Sequence, residues 1–217
     1  MHTVDRLSSS KKKGCKKVKQ KRGRPRKMKL DLVLESAMQA YWHGDPKQIS
    51  VNMICKTAGI SKPSLYREFK NEDSLMCAAL ERYIAQIIPE IFQILTQKIS
   101  LSEIIQQLID YICDEPKFEK GCLFQKLYYG QNDLGPLTLA RVRKIRLNAI
   151  ESYETCLRAH LGQDTCSHQL NIKYKALYLF EQVLWAVNLR SLGMSNHQVK
   201  QLLTLALSSF LPSHIRE

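Results

Sequence analysis

From residue 30 onward, apolar side chains recur at intervals of three and four, the period of helices buried on one side. Leu30, Val33, Leu34, Ala37, Met38, Tyr41 and Trp42 make the first such stripe, and Gly44 stands where helices commonly stop. Ser50 can cap a second helix with Val51, Ile54, Cys55 and Ala58 on its inner face, and Gly59 can end it in a left-handed turn. Ser61 caps a third helix two residues later. Pro63 falls in its first turn, where a missing N–H costs nothing, and Leu65 and Phe69 supply its buried side. Asn71 caps a fourth, with Glu72 and Asp73 facing its positive end, and Pro89 is expected to kink or divide it. Further helices are expected at about 89–99, 101–115, 121–130, 135–161, 170–192 and 196–211, punctuated by Ser100, Pro116, Gly135-Pro136, Gly162 and Gly193. The expected fold is all-α, with nine or ten helices and no internal repeat.

The third helix, KPSLYREF, is too short to bury much by itself. Joined to the second by a tight Gly turn, it completes a helix-turn-helix, in which the later helix is held up by the earlier one and lies in the DNA major groove. Such a unit reads a half-site, so a two-fold dimer is expected. The segment 170–192 carries Leu177, Tyr178, Phe180, Leu184, Trp185, Val187 and Leu189, apolar on more than one face. One side suits its own core and another a partner copy.

Charge sharpens this picture. The 217 residues are 44% hydrophobic and carry a net charge of +13. Residues 1–30 hold 13 Lys/Arg against the single acid Asp5, which leaves only +1 for the remainder. Residues 1–27 therefore form a basic arm without apolar periodicity, expected to order only on a polyanion, either nucleic acid or an anionic membrane surface. Within it, Lys21-Arg22-Gly23-Arg24-Pro25-Arg26-Lys27 is similar to an AT-hook. Gly permits close approach, Pro keeps the chain extended, and Arg22, Arg24 and Arg26 would enter a narrow A·T minor groove. The competing reading is a non-specific electrostatic arm.

Cysteines 15, 55, 77, 113, 122, 156 and 166 are odd in number and include no C-x-x-C pair, which fits a reducing, cytoplasmic setting. No apolar signal segment precedes the first helix, and the most apolar run, 176–189, is interrupted by Glu181-Gln182, so neither secretion nor a membrane span is expected.

The run from Ile49 to Leu75, ISVNMICKTAGISKPSLYREFKNEDSL, resembles the DNA-binding domain of the TetR-type repressors at Ser50, Ile54, Ala58, Gly59, Ser61, Leu65, Tyr66, Phe69 and Leu75. With helix one, the resemblance covers about residues 28–80. It implies an all-helical homodimer with a helix-turn-helix domain at 28–75 and a larger ligand-binding and dimerisation domain at 76–217. It also implies a dimer interface from the last two helices, about 170–192 and 196–211. DNA contacts would come from Ser50, Lys62, Ser64, Tyr66 and Arg67, with Tyr66 on a phosphate. Two positions depart from the family pattern: Glu68 replaces the usual His and Glu72 the usual Lys. The expected function is a sequence-specific transcriptional regulator, a repressor released from its operator by a small effector. The alternative is a basic architectural protein that binds DNA with little sequence discrimination.

The resemblance also places an effector pocket in the larger domain, where Tyr111, Phe118, Phe124, Tyr128, Tyr129 and Tyr153 offer aromatic walls or plain core. Cys122 falls at an expected helix N-terminus, where a thiolate could be stabilised to act as a sensor; the competing reading is an inert buried thiol. His160, Asp164, Cys166 and His168 match no familiar metal spacing, and no cofactor is expected. Arg141, Arg143, Lys144 and Arg146 read as a solvated helix face. Without a Gly-rich phosphate loop, a G-x-S-x-G elbow or clustered histidines, nothing points to an enzyme.

Overall fold

The computed structural model describes residues 26–161 and 166–210. Helix α1 (Arg26–His43) carries the expected stripe, with Val33, Ala37, Met38, Tyr41 and Trp42 buried. Its main packing partner is α4 (Glu72–Leu95). Between them lie α2 (Val51–Ala58) and α3 (Lys62–Phe69). The three caps expected from sequence are all made, by Ser50 to the amide of Met53, Ser61 to Ser64 and Asn71 to Ser74. Gly59 closes α2 at φ 64°, ψ 39°, a left-handed conformation with the amide of Ile60 on the Cys55 carbonyl at 3.0 Å.

The larger C-terminal domain adds α5 (Leu101–Asp114), α6 (Leu123–Tyr129), α7 (Pro136–Leu161), α8 (Cys166–Ser191) and α9 (Asn196–Ala206), with short 3-10 turns at Pro116–Lys120, Gln131–Asp133 and Ser208–Phe210. Ser100 and Ser195 start α5 and α9 with full capping boxes, answered by Glu103 and Gln198. Helices α7 and α8 pack against each other, and α4 packs on α7. So α4 runs through both domains. Among the described residues no helix is long and apolar enough to cross a membrane.

Several expected boundaries move. Pro89 does not divide α4, and no separate helix covers 89–99. Pro89 and Ala85, whose carbonyl loses its donor, both lie on the exposed side, where water can take up that carbonyl at little cost. Helix α8 begins at Cys166, four residues before the expected start, and α6 begins at Leu123, leaving Gly121 and Cys122 in the turn before it. The basic run on α7 is not wholly a solvated face. Arg141 pairs with Glu81, while Arg146 donates to the Tyr128 hydroxyl at 2.9 Å and meets Glu181 at 3.4 Å.

Candidate DNA-binding face and apolar cavity

Helix α3 is fixed from beneath by Leu65 and Phe69, both buried, and its outer residues follow from that. Lys62 and Arg67 are exposed, and Arg67 only brushes Glu68 at 3.9 Å. Ser64 shares a 3.0 Å hydrogen bond with the capping Ser61, and Ser50 is committed to its cap on α2. Tyr66 is half-buried and donates its hydroxyl to Glu72 at 3.1 Å, a bond that also raises the phenol's pKa. The resemblance puts Tyr66 on a phosphate; here it is tied to one of the two carboxylates that depart from the family pattern. The other, Glu68, is half-buried and turns toward the cleft between α1 and α3, beside Leu30 and Val33. The turn after α3 is made by Lys70 at φ 63°, ψ −52°, a positive φ unusual for a residue with a side chain. Arg22 and Arg24 lie outside the described residues, as does most of the AT-hook-like segment; Arg26 opens α1.

The second site is a cavity of about 80 Å³ between α4, α6, α7 and α8. Of the residues expected to meet an effector, Cys122, Phe124 and Tyr153 line it. Tyr111 and Tyr128 do not. Tyr111 gives its hydroxyl to Glu90 beside Lys117, and Tyr128 stacks on Phe124 at 5.8 Å while taking the Arg146 bond. Phe118 is core against Tyr111, and Tyr129 is exposed. Burial pushes the Cys122 thiol up, against the pull of the nearby Tyr83 hydroxyl and of the amides of Gln125 and Phe124. It is therefore a neutral thiol and not the thiolate that an open helix end would favour.

Sequence reasoning missed Tyr83. Its side chain is fully buried on the cavity wall, and its hydroxyl has no hydrogen-bond partner of ordinary geometry; the Leu123 amide and the thiol of Cys122, a weak donor and acceptor, lie beside it. The only sign in the sequence is a Tyr on the inner stripe of an otherwise aliphatic helix. On its outer side the cavity adjoins an open groove of about 670 Å³, with Phe92, Leu95 and Ser152 common to both.

The two sites are joined by polar clamps. Trp42 Nε1 donates to the Gly121 carbonyl at 2.8 Å, and Lys126 Nζ reaches the Gly44 carbonyl at 3.0 Å, so the end of α1 is held by the start of α6. Asp73, expected only to favour its own helix, accepts from the amides of Leu137 and Thr138 at 2.8 and 3.0 Å and from the Thr138 hydroxyl at 2.6 Å, and so caps α7. Burial alone would raise its carboxyl, but these bonds outweigh it and hold the pKa below the usual value. Gly135 leaves room for this contact, since a β-carbon there would collide with the Asp73 carboxylate.

His160 turns its two ring nitrogens to the carbonyls of Cys156 and Ile99 at 2.8 and 2.9 Å. Asp164 lies outside the described residues, and among those described no group of three or more His, Cys, Asp or Glu is placed to hold a metal.

An eight-residue helix braced on a capped partner, joined through one long helix to a larger all-α domain with an apolar cavity, is a helix-turn-helix arrangement carried on a larger helical domain. Residues 33–79 match the family model of bacterial regulatory proteins, tetR family. The HTH-type transcriptional repressor ComR of Escherichia coli (strain K12) is 37% identical over 67 residues, 31% of this chain. The match spans about a third of that relative's length, 32%. Solved structures resemble nearly the whole fold. A TetR-family transcriptional regulator from Streptomyces coelicolor superposes with a TM-score of 0.70 at 17% identity, over 88% of this chain and 97% of its own. A cysteine mutant of the TetR family regulator CifR, complexed with 26bp double-strand operator DNA, gives 0.72 at 20% identity, over 88% and 100%. The reduced form of NemR from E. coli gives 0.67 at 17%, over 83% and 97%.

Proposed function

We propose that the chain is a sequence-specific transcriptional regulator, a cytoplasmic homodimeric repressor that leaves its operator when a small effector enters the cavity between α4, α6, α7 and α8. The observation that carries this reading is α3, anchored by Leu65 and Phe69 so that Lys62, Ser64 and Arg67 face outward on a rigid short helix. The repressor role is supported by ComR, and operator binding by the CifR complex, each for that protein.

The division into a basic arm at 1–27, a helix-turn-helix domain at 28–75 and an effector and dimer domain at 76–217 belongs to the same proposal, with α4 as the shared strut. Dimerisation through α8 and α9 is supported by Tyr174, Tyr178, Trp185 and Leu205, large apolar side chains exposed on these two helices. In the arm, Arg22 and Arg24 would sit in the minor groove next to the site read by α3.

Selection of bound fragments from genomic DNA by the full chain tests the proposal. A pseudo-palindromic site is expected, whose binding is lost on replacing Lys62 and Arg67 together by Ala and weakened on deleting residues 1–25. Replacing Arg22 and Arg24 alone should weaken sites flanked by A·T pairs more than sites flanked by G·C. Light scattering should give a dimer at the concentration that saturates the site. Binding of A·T-rich DNA with no preferred sequence, unaffected by the two substitutions in α3, would leave the architectural alternative.

A further inference from the structure

The cavity's walls are aliphatic or aromatic almost throughout, so each polar group on them is informative. Ser152 is already committed, donating to the Asn148 carbonyl at 3.0 Å. Cys122 offers a neutral thiol. Tyr153 brings a second buried hydroxyl. The Tyr83 hydroxyl is fully buried with the Leu123 amide and the Cys122 thiol beside it but no strong acceptor for its own proton, and a buried donor left unpaired carries a free-energy cost that proteins seldom leave unanswered. Water suits the space less well than a mostly carbon molecule, because the walls it would face are largely Ile87, Phe124 and Phe180, with the two phenols and the thiol as their few polar points. A cation or carboxylate would be worse, since no counter-charge lines the space. Size narrows the choice further. An apolar cavity of about 150 Å³ holds benzene, and this one is about 80 Å³, bordered on the groove side by Phe92, which is more than half exposed.

We infer that the cavity binds a small uncharged molecule of the carbonyl class, a ketone or aldehyde of about four to six non-hydrogen atoms, whose oxygen accepts the Tyr83 hydroxyl proton while its carbon skeleton fills the apolar space. The inference rests on the proposed role of this cavity as the effector site. Tyr83 also touches the rest of the molecule at a telling place. Its ring meets Trp42 edge-on at 5.0 Å, and Trp42 holds Gly121, so an occupant bonded to Tyr83 bears directly on the α1–α6 clamp.

Two isosteric probes test this on the full chain without DNA: cyclopentanone, and methylenecyclopentane, which replaces the carbonyl oxygen with a CH2 group. Titrations followed by ligand-observed NMR should show cyclopentanone binding more tightly than its size-matched alkene. Tyr83→Phe should weaken cyclopentanone about fivefold to tenfold, the worth of one hydrogen bond, and leave methylenecyclopentane unchanged. Because the Tyr83 hydroxyl makes no hydrogen bond of ordinary geometry, the Tm of the variant should stay close to that of the parent. Ser152→Ala should change neither titration. The inference is overturned if neither probe binds, if Tyr83→Phe affects both probes alike, or if Tyr153→Phe and not Tyr83→Phe removes the preference for the ketone. Cyclopentanone that binds as described yet leaves the operator occupied would count against the effector role alone.

Discussion

The helix-turn-helix and the cavity are built by opposite means. In the first, each turn is dictated by the residues that make it: Ser50, Gly59, Ser61 and Asn71 act within four positions of the groups they satisfy. The cavity has no local rule. Tyr83, Cys122, Tyr153 and Phe180 come from three helices and the turn before α6, and meet only because α4, α7 and α8 pack together. A local device fixes a shape that can be presented to many operators, whereas an assembled cavity can be resculpted without disturbing it. The clamps at Asp73 and at Trp42 are where one construction can influence the other.

The sharpest way to break the comparison is to empty the core of the smaller unit. Leu65→Ala, at a fully buried position, should cost about 2–5 kcal/mol and abolish DNA binding, read by denaturant unfolding and mobility shift. Cyclopentanone binding by whatever remains folded at low temperature should survive. Loss of both together would mean that the two constructions fold as one.

Next comes the joint. Asp73→Ala should cost about 0.5–2 kcal/mol, as for other lost caps, and it should loosen the dependence of DNA binding on cavity occupancy. Because the Asp73 carboxyl is held below its ordinary value of 3.8, its contribution is complete above that pH and is lost as the pH falls through the folded value. Melting temperatures taken down to about pH 2 should therefore fall less steeply for Asp73→Asn than for the parent, on the acid side only. A parallel decline in the two proteins would contradict the assigned hydrogen bonds.

A smaller effect is expected at Glu72. Replacing it by Lys removes a carboxylate near the path of the phosphates and frees the Tyr66 hydroxyl, so DNA binding should tighten several-fold at low salt, a gain that shrinks as salt rises. The positive charge at the start of α4 should lower Tm slightly. Unchanged or weaker binding would show that Glu72 does not face the phosphates. Smallest of all, Ser64→Ala should leave stability within about 0.5 kcal/mol, since its hydroxyl meets only Ser61 at the surface; a change in operator preference measured by titration would mark it as a base contact.

How far the sequence could be read follows the same division. Caps, the stripe on α1 and the brace under α3 were legible because propensity and capping act over a few residues. Helix continuity through Pro89 was not, because it depends on which side of α4 faces water. Aromatic residues in the right region could be counted but not assigned: Tyr111 and Tyr128 leave the cavity for partners, Glu90 and Arg146, that stand 18 to 21 residues away in sequence. Tyr83 was invisible because its importance lies in where packing buries its hydroxyl, among groups 39 and 40 residues away in sequence.

The hold of α6 on α1 bears on how this protein could be recombined. A graft that moves the DNA-reading helices onto another regulator would strip Trp42 of the Gly121 carbonyl and leave the carbonyl end of α1 without Lys126. The transplanted piece would expose an indole and the orphaned carbonyls of Trp42 and Gly44, both held by Lys126, at its cut surface. A working chimera would have to carry residues 121–126 along with the reading head, so the natural unit of exchange is discontinuous in sequence and cannot be cut out as a single segment.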